Sequence, residues 1–146
     1  MPSFNLGGDL GLQASTHRQW PLVAVMEFVL DDLTSGEAGR AVVMPGGSWV
    51  IGGGLVITEA FNSGTSDTMV VGDEDDDDRY AAAVDASDAG RTALTVTGHR
   101  YTGKQTIDLK WTSDGTAPTQ GRGFLYVEYL IDGRGGEVQP AGTIGE

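Results

Sequence analysis

The sequence predicts an all-β fold: a β-sandwich or jelly roll of about seven to eight antiparallel strands, with one short helix near 78–85 and an extended N-terminal arm. Three observations predict it. Short apolar stretches recur along the 146 residues, each bounded by Gly, Pro, Asn or Asp. The 23 Gly and 5 Pro favour tight turns over long helices. There is no internal repeat of useful period, which argues against a propeller or solenoid.

Residues 1–20 carry Gly and Ser, are weakly patterned, and end in Ser15-Thr16-His17-Arg18-Gln19 before Trp20-Pro21. Such an arm is expected to be extended and ordered by whatever it lies against. The expected organisation is therefore an arm at 1–21, a sandwich at 22–134 and a loosely ordered tail at 135–146. Residues 22–30, LVAVMEFVL, are apolar on both pleat faces except at Glu27, as in a strand covered on both sides. A turn at 31–36 leads to a short strand at 40–44, and Pro45-Gly46-Gly47-Ser48 makes the next turn. Trp49 to Thr58 reads WVIGGGLVIT, and its three central glycines predict a bulge or a bend where the strand changes sheets.

Asn62-Ser63-Gly64-Thr65-Ser66 predicts a turn and 67–71 a returning strand. The run Asp73-Glu74-Asp75-Asp76-Asp77-Asp78 followed by Arg79-Tyr80-Ala81-Ala82-Ala83-Val84 predicts the short helix. Carboxylates suit a helix N-terminus and alanines propagate it. A strand is expected at 92–101. Residues 106–112 alternate most cleanly, with Ile107, Leu109 and Trp111 on one face and polar side chains on the other. Phe124 to Ile131, FLYVEYLI, is again apolar on both faces except at Glu128.

With 146 residues the fold buries roughly 70% of the extended chain's surface, enough for one core. The 21 acidic against 9 basic residues give a formal charge of −12, so no nucleic acid is expected as partner, since that binding needs a basic patch to displace counterions. No membrane partner is expected either: Met1 to Asp9 lacks a basic start with an apolar stretch, and no window reaches the length of a span. The absence of cysteine removes disulfides and thiolate metal sites.

No catalytic, cofactor or metal residues are assigned, and no enzyme is expected. His17 and His99 lack further ligands at helical spacing. Gly52, Gly53 and Gly54 lack the Lys-Ser/Thr of a phosphate cradle. The acidic run 73–78 suits Ca²⁺ by ligand type but not by EF-hand spacing, so a solvated loop and helix cap is the first reading, with Ca²⁺ or an interfacial ion pair as the alternative. Glu27 and Glu128 could face one cavity as a glycosidase pair. The plainer reading pairs each with an arginine such as Arg40, Arg91 or Arg100. Trp20, Trp49, Trp111, Phe28, Phe61, Phe124, Tyr126 and Tyr129 suit one core, and a surplus on the second faces of 22–30 and 124–131 would be covered by a neighbouring chain in a homo-oligomer.

The stretch AFNSGTSDTMVVGDEDDDDRYAAAVDASDAGRTALTVTGHRYTG at 60–103, with FLYVEYLIDGR later and STHRQWPL and MPGGSWVIGG upstream, resembles capsid decoration (cement) proteins of tailed bacteriophages. The resemblance covers most of the chain. DEDDDDRY is longer than the acidic segment of that pattern. The resemblance implies a jelly-roll-like virion structural protein, made in the host cytoplasm and bound to the capsid exterior. Its partners would be the major capsid protein and itself, a homotrimer favoured over a homodimer. It implies no catalytic residues. The alternatives are a head-fibre, tail-tip or baseplate module that contacts a receptor, and a carbohydrate-binding β-sandwich.

Overall fold

The structure, a computed structural model, describes Ser15 and residues 17–134. The expected tail, and the arm apart from Ser15 and 17–21, lie outside the described residues. The chain divides into two compact units: Pro21–Asp132, and the two termini, Met1–Trp20 with Gly133–Glu146. In the terminal unit the Gln19 side-chain amide donates to the Arg134 carbonyl at 2.7 Å.

The larger unit is all-β. Its strands are β1 (Leu22–Val29), β2 (Ala38–Met44), β3 (Ser48–Glu59), β4 (Ser66–Gly72), β5 (Ala81–Asp85), β6 (Gly90–Ala93), β7 (Gln105–Asp114) and β8 (Arg122–Ile131). They form two four-stranded sheets in the orders β1-β8-β3-β6 and β2-β7-β4-β5. Every pairing is antiparallel. Each connection along the chain passes from one sheet to the other except β4 to β5, which pair as neighbours, so the eight strands make a jelly roll.

The core lies between the sheets. Alternation in β7 sends Ile107, Leu109 and Trp111 inward, and β8 adds Leu125 and Val127. Phe61 bridges Phe28 and Trp111, with ring centroids 6.5 and 5.6 Å away. Trp111 also donates its indole N–H to the buried Asp67 at 3.0 Å, and Ser63 donates its hydroxyl at 2.6 Å and its backbone N–H at 2.9 Å to the same carboxylate. Two extended strands thus lock a loop to the core through one satisfied buried acid.

Four expectations are corrected. The segment expected as a helix near 78–85 is β5, in which Met69 faces Val84 and Val71 faces Ala81. Alanine propensity is a weak preference and a helix this short is marginal, so pairing with β4 and burial of Ala81 and Val84 decide. Second, β3 does not change sheets: it pairs with β8 and β6 throughout. Its bend is absorbed by register shifts at 50/52 and 57/59, with Gly53 at φ +136°. Third, the strand expected at 92–101 is shorter. β6 ends at Ala93, and beyond it one isolated bridge joins Arg100 to Trp49. Fourth, Trp20 is 60% exposed and is not a core residue.

Candidate functional site

Two features of the sandwich stand apart from its core. The first is the outer face of the β1-β8-β3-β6 sheet. Antiparallel register puts Val23 opposite Glu128, Val25 opposite Tyr126 and Glu27 opposite Phe124, so all six side chains share that face. Val23 and Val25 are 58% and 60% exposed, and Val29 at the end of the same row is also exposed. β1 is thus covered on its inner side alone, where the sequence pattern allowed cover on both.

The glycines of β3 complete this face. Tyr126 lies opposite Gly54 and Glu128 opposite Gly52. A Cβ on Gly54 would meet the Tyr126 ring and hydroxyl, and one on Gly52 would touch the Glu128 carboxylate. The missing side chains therefore let Tyr126 lie flat across β3 toward Arg91, whose Nε donates to the Tyr126 hydroxyl at 2.6 Å and whose guanidinium lies 5.7 Å from the ring centroid.

Glu27 and Glu128 share a face but not a cavity. They sit four residues apart along the pairing, roughly 13 Å between their backbone positions at the strand rise, with Val25 and Tyr126 on the face between them. Among the described residues neither pairs with an arginine, contrary to expectation: Arg91 serves Tyr126 and the Gly53 carbonyl, and Arg100 serves Asp132 at 2.5 Å. Both glutamates reach solvent at a sheet face, so neither needs a partner.

The second feature is the turn between β4 and β5, which carries the acidic run. Asp73 is not solvated: its side chain is fully buried and accepts five hydrogen bonds. Arg79 Nε donates at 2.7 Å and its terminal nitrogen at 3.3 Å. The Asp75 and Asp76 amides donate at 3.1 and 3.0 Å, and the Tyr101 hydroxyl at 2.9 Å. Tyr80 and Tyr101 hydroxyls lie 2.7 Å apart, and since Tyr101 gives its proton to Asp73, Tyr80 donates to Tyr101. Burial alone would raise the Asp73 carboxyl, but the bonds from Arg79 and Tyr101, the Arg79 charge and the Asp76 amide outweigh it and hold the group below the ordinary carboxylate value. Burial pushes both tyrosine hydroxyls up, Tyr101 far beyond the usual phenol range.

The rest of the run is exposed. Asp76, Asp77 and Asp78 bring carboxylate oxygens within 4.8 Å of one another. Asp78 is raised by its hydrogen bond with Asp76, then by desolvation and the neighbouring charges. His99 packs edge-on against Tyr101 at 4.8 Å, and His17 is exposed. Sequence reasoning missed the Asp73 network and the Asp67 anchor. The legible signal was Arg79, the one cation that closes a run of acids right after the strand-ending Gly72.

No family model matches the chain, and no curated protein matches it. Solved structures do. Over 90% of this chain and 99% of the other, it matches a chain of the Cyanophage Pam1 capsid asymmetric unit at a TM-score of 0.63 and 21% identity. The acidic stable capsid structure of Helicobacter pylori bacteriophage KHP30 matches at 0.62 and 18%, over 77% of this chain and 89% of that one. The capsid of Ralstonia phage GP4 matches at 0.60 and 14%, over 86% and 92%. This fold occurs in bacteriophage capsids. At these identities the likeness is one of fold.

Proposed function

We propose that this chain is a virion structural protein that binds the outside of an assembled bacteriophage capsid and strengthens the contacts between capsomers, as a decoration or cement protein. Its sandwich is taken as 22–134, the arm at 1–21 joins the capsid contact, and copies associate as a homotrimer. The observation that carries the reading is the exposed row Val23, Val25 and Val29 on an edge strand, beside Phe124 on the same sheet face. An apolar row that water gains nothing from is what a partner surface covers. The fold likeness supports it: the three capsid chains are matched over 89%, 99% and 92% of their own lengths, so the likeness is to whole chains of about this size. Repetition does the rest, because a modest contact made at every capsomer adds up over a shell.

The test is binding to purified expanded capsids together with the copy number in purified particles. Parent protein is expected to saturate the capsid at a copy number set by the shell lattice. Val25→Lys, which puts a charge into the exposed row, is expected to keep its melting temperature and lose capsid binding. A handful of copies per particle, or undiminished binding by Val25→Lys, would overturn the reading.

A further inference from the structure

The β4–β5 turn joins neighbours within one sheet, the place where the jelly roll folds back on itself. Its exposed side carries four consecutive aspartates, 75–78, three of them with oxygens in one small cluster. Their repulsion works to open the turn. Its buried side carries one carboxylate that takes donors from three places: the turn's own amides, Arg79 at its far end, and Tyr101 from the segment before β7. Tyr80, the residue before β5, extends the chain through Tyr101 and fixes its backbone to Val71 at 2.9 Å and to Thr95 at 2.8 Å. The repelling group and the fastening group are thus on opposite sides of the same seven residues.

We propose that the Asp73–Arg79–Tyr101–Tyr80 chain is an acid-resistant latch, which holds the charged turn against the sandwich through mild acid and releases it when Asp73 itself takes up a proton. The groups that face Asp73 are Arg79 and the Asp75 and Asp76 amides from the turn, Tyr101 from the segment before β7, and Tyr80 behind Tyr101; His99 packs edge-on against the far partner of that bond, the Tyr101 ring. A carboxyl lowered by folding contributes stability that is complete above the unfolded value of about 4 and is lost as pH falls through the lower folded value. The raised Asp78 acts in the opposite sense, since protonating it first removes repulsion while the latch is still charged. Mild acid therefore leaves the turn at least as well held as neutral pH does. This inference concerns the turn alone and stands apart from capsid binding.

The experiment is amide hydrogen exchange of the intact protein, with protection factors for Asp75, Asp76 and Tyr80 measured from pH 7 to pH 3. The native turn is expected to keep its protection down to about pH 4 and lose it below. Tyr101→Phe removes one donor to the charged carboxyl, so protection at pH 7 should fall roughly tenfold and the acid loss should move to higher pH. Asp73→Asn should abolish the acid limb altogether. His99→Phe should leave the profile unchanged. Loss of native protection between pH 7 and pH 5, a Tyr101→Phe profile that coincides with the native one, or a profile that moves with His99→Phe would each overturn the proposal. Should Asp73→Asn not fold, the Tyr101→Phe comparison decides by itself.

Discussion

One methyl group placed at two different glycines is expected to have opposite effects. Gly72 ends β4 and is buried under the acidic turn; a Cβ there would fall onto the Asp76 carbonyl oxygen and the Asp77 carbonyl carbon, well inside van der Waals contact. Those atoms are backbone, so the turn itself has to move. Overpacking of this kind costs about 1–3 kcal/mol, and displacing the turn misaligns charge-assisted bonds to Asp73 worth about 1.5–3 kcal/mol each. Taking about 3 kcal/mol in total, at about 2–4 °C per kcal/mol for a domain of this size, Gly72→Ala should melt about 6–12 °C below the parent. Gly103 has nothing within 4 Å of its would-be Cβ and no left-handed φ. Gly103→Ala should therefore be neutral or stabilise by up to about 1 kcal/mol, through a less free unfolded chain. Calorimetry or urea unfolding of both proteins checks this. A Gly72→Ala protein melting within about 2 °C of the parent would refute the close approach of turn and strand.

Trp111→Phe keeps a ring against Phe61 but strips the buried Asp67 of one donor, so it should destabilise by about 1–3 kcal/mol in urea unfolding, and Trp111→Phe with Asp67→Ala by less than the sum of the two. Tyr80 and Tyr101, two of the four tyrosines, should stay protonated in a phenolate absorbance titration until the fold opens. Because folding raises both hydroxyls, stability is complete below about pH 10 and falls above it, and normal titration of all four in the intact fold would contradict the buried pair. Arg100→Gln breaks an ion pair whose two side chains are 39% and 48% exposed, and its melting temperature should stay within about 2 °C of the parent.

Most strands were legible because their patterns matched what the sheets impose. Ile107, Leu109 and Trp111 alternate with polar neighbours in a strand that has one buried face, and period two says as much. β8 reads as doubly apolar because Phe124 lies opposite Val56 and Tyr126 lies across Gly54 on the outer sheet face, a use of side chains that no single strand's pattern reveals. β5 misled because Ala81, Ala82 and Ala83 prefer helix locally, while the partner strand that overrides them is supplied by tertiary pairing. The acidic run misled similarly. Six acids in a row look uniformly solvated, and what separates Asp73 from the rest is its position one residue after a buried strand end, within reach of Tyr101 from 28 residues away.

The edges of the two sheets bear on what the exposed valines are for. Four strands lie at edges: β1, β6, β2 and β5. β6 is four residues long, β2 shifts register at 40/42, and β5 shifts against β4 and carries Ala83 at φ +57°. Short length and irregularity both keep an edge from pairing with a stranger. β1 has neither: it runs eight residues, holds unbroken register with β8 from Leu22 to Val29, and contains no proline or lysine. Three edges are blunted and the fourth is kept regular, with a valine row beside it. Among the described residues no strand pairs with that edge, and since an open regular edge invites pairing, it is the edge that the proposed assembly would cover.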